Sequence, residues 1–337
     1  MKTCGIIAEY NPFHKGHIYH LEQARKISGA DTIVVIVSGF YSQRGLPSLL
    51  DPNTKTKLAL EHGADLVLEL PTCYACQSAQ YFSKYAIQSL STLGIDSLCF
   101  GSESCDLQAL EHLIEINSTT NIDPTQSMNQ NLNRQIEAND LLGYHYIQDC
   151  HKYNIKPLPI KRSDLFKSAT QTRKDYFNGM KQDFDQYFHT NQQWSSYYPI
   201  LRTILLMSKP EWLATFFLIN EGIEYRLKQA AKENKEWAHF LQQASSKTYS
   251  YNRIMRSCLM ILLQITKEEM EQNSSYFGIK VLGMNQKGRL LLKQASVPIY
   301  TKYKDYPPFL QRVHQKSIDL YNSQESSIIT QEVLIYE

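Results

Sequence analysis

Thr3-Cys4-Gly5-Ile6-Ile7-Ala8-Glu9-Tyr10-Asn11-Pro12-Phe13-His14-Lys15-Gly16-His17-Ile18-Tyr19-His20 passes from an apolar run, through a loop, into a helical pattern. A strand that feeds a helix in this way is the first unit of a parallel α/β sheet. Ligands of such sheets bind beyond the carboxyl ends of the strands. A helix N-terminus there offers free N–H groups and a positive dipole end to phosphate. His14 and His17 can donate N–H bonds to phosphate oxygens and stabilise charge on a departing pyrophosphate. Gly16 removes a side chain where a nucleotide would approach. No G-x-x-x-x-G-K-[ST] occurs here, which excludes a P-loop. Two other readings stand beside this one. His14, His17 and His20 could be metal ligands at i, i+3 spacing, or polar surface residues at a helix start.

Outward from this junction the same rhythm repeats. Asp31–Ser38 is a continuous β-branched run, as expected of a strand buried on both faces. Asp65–Leu70, stopped by Pro71, Asp96–Gly101 and Lys156–Ile160 are further strand candidates. Helical patterns fill the gaps at about 16–28, 54–62, 76–93 and 106–117. The fold class is therefore α/β, a Rossmann-like parallel sheet followed by a mainly helical C-terminal domain. Beyond about residue 180 amphipathic helices are expected over 199–207, 211–220, 223–234, 237–244 and 253–265. Gly278–Lys304 returns to short strands, and the tail from Tyr306 has no assigned structure. The expected domains are 1–180 and 181–337.

The 337 residues carry 35 Lys and Arg against 33 Asp and Glu, so any nucleic-acid surface must be a local patch. No apolar run reaches the ~18–20 residues of a membrane span. Seven cysteines, an odd number without disulfide spacing, predict a reducing, cytoplasmic setting. Cys73-x-x-Cys76 has no second pair and reads as ordinary thiols.

The run Asn11–His17 resembles the H-x-G-H signature of the nucleotidyltransferase superfamily. The wider stretch Gly5–His17 is similar to the bacterial tRNA(Met) cytidine acetate ligases. Ser38-Gly39-Phe40-Tyr41-Ser42-Gln43-Arg44-Gly45 resembles the S-G-x-F-x-Q-R-G loop of that family. Gly63–Pro71 resembles its G-A-D-L-V-x-E-L-P strand, and Phe100-Gly101-Ser102-Glu103 its F-G-S-E turn. Asn139–Tyr146, Ser168-Ala169-Thr170-Gln171-Thr172-Arg173 and Val281–Arg289 resemble its later motifs. The chain departs from the family in a shortened segment 163–167, and in Pro52-Asn53-Thr54-Lys55 where Lys-x-x-Arg usually follows Asp51.

The resemblance implies an ATP-dependent ligase. It would activate acetate as acetyl-adenylate, release pyrophosphate, and acetylate N4 of the wobble cytidine of elongator tRNA(Met), releasing AMP. The implied ATP contacts are Ile7, Ala8, Glu9, Tyr10, Asn11, Pro12, Phe13, His14, Lys15, Gly16, His17, Ile18, Tyr19, His20, Gly101, Asn139 and an arginine. Both Arg162 and Arg173 compete for that last place. His14 and His17 would be catalytic. Ser168 reads as an N-cap whose helix could hold a second phosphate, and Asn139 reads equally as an N-cap. Mg²⁺ is expected with ATP, with Asp51 and Glu103 able to hold it through water.

Residues 240–304 hold ten Lys and Arg against three acids, interleaved with Tyr249, Tyr251, Tyr276, Tyr300 and Tyr303. Lys247, Arg253, Arg256, Lys287 and Arg289 are the candidate tRNA contacts. The bland alternative is a solvated helix face. Two other functions compete: a cofactor-pathway adenylyltransferase, and a non-catalytic tRNA-binding relative.

Overall fold

The structure, a computed structural model, describes residues 1–119, 137–163, 165–275, 278–324, 327–328 and 333–337. Tyr276 and Asp164 lie outside the described residues. Five parallel strands come from the N-terminal half: β1 (Thr3–Ala8), β2 (Thr32–Ser38), β3 (Leu66–Leu70), β4 (Ser97–Ser102) and β5 (Lys156–Lys161). Their order in space is β5-β4-β1-β2-β3. The chain steps from β1 outward to β3, then crosses back to lay β4 against the other side of β1. The order therefore reverses between β1 and β4, and that reversal opens a crevice at the strands' carboxyl ends.

β2 shows why this sequence makes a central strand. Ile33, Val35 and Val37 pack on one face with Leu21 and Leu58, while Val34 and Ile36 pack on the other with Leu68 and Leu90. Alternate residues point to opposite faces, so a β-branched run without polar interruption must be covered twice. Helices α1 (Lys15–Ser28), α2 (Pro52–Glu61), α3 (Thr72–Ala75), α4 (Ala79–Ser91), α5 (Leu107–Thr119) and α6 (Ala138–Lys152) connect the strands.

The second half is helical through α7 (Ala169–Phe177), α8 (Trp194–Met207), α9 (Pro210–Leu213), α10 (Ile223–Glu233), α11 (Trp237–Ala244), α12 (Tyr251–Leu263) and α13 (Lys267–Gln272). The helix expected over 211–220 stops at Leu213. Phe216 leaves it to bridge Thr266, and the Phe217 N–H donates to the Ile265 carbonyl at 2.8 Å. The tail is not structureless, for Pro308–Asn322 forms a helix, α15, that buries Leu310, Val313 and Tyr321.

The chain then returns to the sheet. β6 (Ile279–Met284) runs antiparallel to β3, followed by α14 (Gln286–Leu292), and β7 (Ile299–Tyr300) and β8 (Leu334–Ile335) pair with β6. Strands from both sides of residue 180 thus share one sheet. The joint is held at Asp65. Its carboxylate accepts from Arg25, from the Ile33 N–H and from the Asn285 amide, and its carbonyl accepts the Asn285 N–H at 2.9 Å. Asn285 also caps α14 through the N–H groups of Lys287 and Gly288. A Cβ on Gly288 would lie 2.1 Å from the Asp65 carbonyl oxygen, so only glycine lets helix and strand approach this closely. We expect Gly288→Ala to cost about 3 kcal/mol or more of unfolding free energy through overpacking against backbone. Equilibrium denaturation measures it, and a loss within error of zero would show that this contact does not hold the sheet edge.

Candidate active site

Helix α1 begins at the crevice, and two histidines cap it. The His14 backbone is extended, and its ring Nδ1 accepts the Gly16 N–H at 3.0 Å. The His17 Nδ1 accepts the His14 N–H at 3.2 Å. The rings lie 3.9 Å apart. A backbone N–H can only donate, so both Nδ1 atoms are acceptors. In the neutral rings the proton therefore resides on Nε2. Burial, with the charge of Arg162 adding, pushes His14 down to about 4, partly opposed by Asp183. Burial and the neighbouring His14, His20 and Arg162 hold His17 well below its ordinary value. Both are neutral Nε2–H donors at pH 7. The third histidine of the row, His20, is pushed down to about 4 by burial, and its Nε2 is buried without a hydrogen-bond partner among the described residues.

The glycine between them has a cause the sequence did not show. A Cβ on Gly16 would lie 2.7 Å from Cε1 of His14, so Gly16 makes room for the capping ring rather than for a ligand. Around the caps, Tyr10 takes a left-handed backbone, φ 46°, and its ring meets Phe13 and His17 edge-on at 4.8 and 4.9 Å. Phe13 stacks on His17 at 5.6 Å.

The two candidate arginines occupy different places. Arg173 is engaged on three sides: its guanidinium donates to Asn11 Oδ1 at 2.6 Å and to the carbonyls of Pro47 and Gln192, both at 3.1 Å. It fastens loops together and has little left for a ligand. Arg162 follows β5 and, among the described residues, its guanidinium pairs only with Glu103, at 3.4 Å. Its stem passes 3.5 Å from where a Cβ on Gly101 would stand, and its charge reaches all three histidines. Among the described residues a Cβ at Gly101 would meet nothing else within 4 Å, so none of them closes that strand end.

Beside the β4 turn, on α6, stands Asp140, to which the motif reading gave no role. Asp140 accepts from the Ser102 hydroxyl and from the N–H groups of Glu103 and Ser104. Glu103 in turn accepts from the Asn139 amide, the Asp140 N–H and Arg162. Asn139 is not an N-cap, because α6 starts one residue earlier with Glu137 in that position. Its amide instead joins the Glu103 network beside Gly101. Asp140 stood in the quoted motif, but which backbone groups it holds depends on a turn 36 to 38 residues away.

The carboxylates do not fit a resident divalent ion. Asp51 caps α2, accepting from Asn53, Thr54 and His189. Burial alone would raise its pKa, but the bonds from His189 and Thr54 outweigh it and hold the carboxyl below its usual range. Glu103 is engaged as described. Among the described residues no three His, Cys, Asp or Glu converge as metal ligands, and the cysteines there are free thiols. Lys55, in the position of the departure after Asp51, is fully buried and donates to the carbonyls of Ser38 and Gly39 at 2.9 and 2.8 Å. Ser168 caps α7 as expected, accepting the Gln171 N–H at 3.1 Å.

The basic stretch is not one surface. Lys287 and Arg289 lie on α14 at the amino ends of the strands, where the Lys287 ammonium donates to the Asp31 carbonyl at 3.1 Å. That is the edge opposite the histidines, because α14 follows the joint at Asp65. Arg253 and Arg256 lie on α12, and Arg253 pairs with Glu221 at 3.1 Å while covering the Tyr249 ring at 4.8 Å. Lys247 is exposed ahead of that helix.

A family described as HIGH Nucleotidyl Transferase matches residues 1–333. A tRNA(Met) cytidine acetate ligase of Limosilactobacillus reuteri is 34% identical, covering 90% of both chains. One of Lysinibacillus sphaericus is 30% identical over 96% of this chain and 94% of its own. The crystal structure of Thermotoga maritima TmcAL bound with alpha-thio ATP superimposes with a TM-score of 0.82 at 25% identity, covering all of both chains.

We expect ¹⁵N NMR at pH 7 to show the His14 and His17 side chains as neutral Nε2–H tautomers, with His14 staying neutral down to about pH 5, given the depressed pKa values. Titration near 6.5 would contradict the reciprocal capping.

Proposed function

The chain belongs to the HIGH nucleotidyltransferases and, from that membership and the capped helix at the crevice, we propose that it is an ATP-dependent tRNA(Met) cytidine acetate ligase. The observation that supports this most is the pair of neutral Nε2–H donors at the N-terminus of α1, beside the cation of Arg162. ATP enters with its phosphates toward these groups. The carboxylate of acetate attacks the α-phosphorus, the bond to the β-phosphate oxygen breaks, and pyrophosphate leaves with the electron pair. His14, His17 and Arg162 stabilise the charge that develops on the phosphates. Cytidine N4 of the tRNA then attacks the acetyl carbonyl, loses a proton, and AMP departs. Catalysis is positioning plus charge stabilisation, because the mixed anhydride already activates the acyl group. Magnesium arrives on the ATP phosphates as part of the substrate.

In this reading the ATP contacts are Ile7–His20, Gly101, Asn139 and Arg162, with Arg173 as a positioning residue. Residues 1–180 activate acetate, 181–337 grip tRNA, and the RNA meets Lys247, Arg253 and Arg256. Among the described residues no helix is long and apolar enough to cross a membrane, and we assign the enzyme to the cytoplasm, with its tRNA.

Acetate-dependent ATP–pyrophosphate exchange tests the proposal. His17→Ala should lower the exchange rate by roughly 10²–10³, the scale of losing one transition-state donor. Exchange that does not depend on acetate would point to the cofactor-pathway adenylyltransferase, and its absence in the intact protein to the non-catalytic relative. The arginines should separate by readout. Arg162→Ala should raise the KM for ATP about 10–100-fold, the loss of charged hydrogen bonds, at an unchanged melting temperature. Arg173→Ala should lower the melting temperature by several degrees, since it leaves buried acceptors unpaired. The reverse pattern would exchange their roles.

A further inference from the structure

We infer that Arg44 and Arg256 together seat a backbone phosphate of the RNA acceptor, at the seam between the sheet's carboxyl edge and α12. The inference rests on the proposed function and names a contact within it.

Arg44 stands on a turn that is fastened from several sides. The Gln43 N–H donates to the Glu9 carboxylate at 2.6 Å, tying the turn to the end of β1. The Gly45 N–H closes the turn onto the Ser42 carbonyl at 2.8 Å, and the Cys76 thiol donates to that same carbonyl at 3.2 Å. The Trp194 indole donates to the Gly45 carbonyl at 2.9 Å. Gly45 itself has a left-handed backbone, φ 77°, and a Cβ there would stand 3.0–3.2 Å from the backbone of Met255 and Arg256. The turn therefore lies directly on α12, next to Arg256.

Arg44 and Arg256 are both half-buried residues, and neither side chain has a hydrogen-bond acceptor or ion-pair partner among the described residues. Arg25, Arg162, Arg173, Arg253 and Arg312 all have one. A partly desolvated guanidinium with five donors and no acceptor is an unfavourable arrangement until an oxyanion arrives. Two of them on adjoining backbone match a phosphate, which accepts from two forks at once. The surroundings favour RNA over a free anion. Tyr251, 53% exposed, opens α12 and offers a face on which an unstacked base can lie.

The same pair could instead hold the carboxylate of acetate. The test is therefore tRNA affinity across a salt series for Arg44→Gln, Arg256→Gln and the double variant, together with the KM for acetate in tRNA-free pyrophosphate exchange. Each single change should weaken tRNA binding about tenfold or more, the effect of one charged hydrogen-bond set. Each should also reduce the log–log salt slope by about 0.7. Arg44→Lys should keep the slope while recovering only part of the affinity, because a lysine keeps the charge and loses the fork. Wild-type affinity and slope in the double variant would overturn the inference. So would a loss confined to the KM for acetate. Absence of exchange in the wild-type protein would instead overturn the function on which the inference rests.

Discussion

One guanidinium, that of Arg173, holds the loops on which the crevice depends. It reaches the side chain of Asn11, the carbonyl of Pro47 and the carbonyl of Gln192. Asn11 Oδ1 also accepts the Leu49 N–H at 3.0 Å, so the loop after β1, the loop before α2 and the approach to α8 share one anchor. A cation in this position is tolerated because neutral oxygens surround it. Burial pushes it down only to about 10, and it keeps its charge at neutral pH. The histidine loop inherits its geometry from this anchor, since His14 lies three residues beyond Asn11.

The electrostatics of the crevice follow from how its carboxylates are held. Asp140 accepts from a turn, Asp51 from a helix start, Glu103 from an amide, an N–H and an arginine, and Glu9 from the Gln43 N–H. Each of these four negative charges is matched by protein donors, so a polyphosphate meets donors rather than repelling carboxylates there. Arg162 plays a double part. Its charge helps keep the histidines neutral while the crevice is free of anions, and it attracts the anion that offsets it.

The strand rhythm was legible because each parallel strand is a short apolar run, and β2, covered on both faces, carries five apolar side chains in a row, Ile33 to Val37. The first strand–helix junction was legible for the same reason, and its histidines could be picked out as donors. Their reciprocal capping could not, because histidine is not among the usual N-cap residues and the geometry appears only when the two rings come together in the fold. Arg162 and Arg173 look alike in sequence, and only the loops that come to meet Arg173 tell them apart. Lys287 and Arg289 read as part of a basic surface because composition cannot register that Asn285 returns to Asp65, 220 positions earlier.

That return has a consequence for the order in which the protein can be made. β3, with the sequence Leu-Val-Leu-Glu-Leu, is buried in the finished fold, and one of its two neighbours is β6. As the chain leaves the ribosome, β1, β2 and β3 emerge early, but the strand that covers β3 ends only at Met284. Some two hundred residues must be synthesised between β3 and β6 while an apolar sheet edge stands open, the kind of edge that pairs with whatever strand it meets. The nascent chain therefore passes through a long interval in which its most adhesive surface is already formed, and its own partner strand does not yet exist.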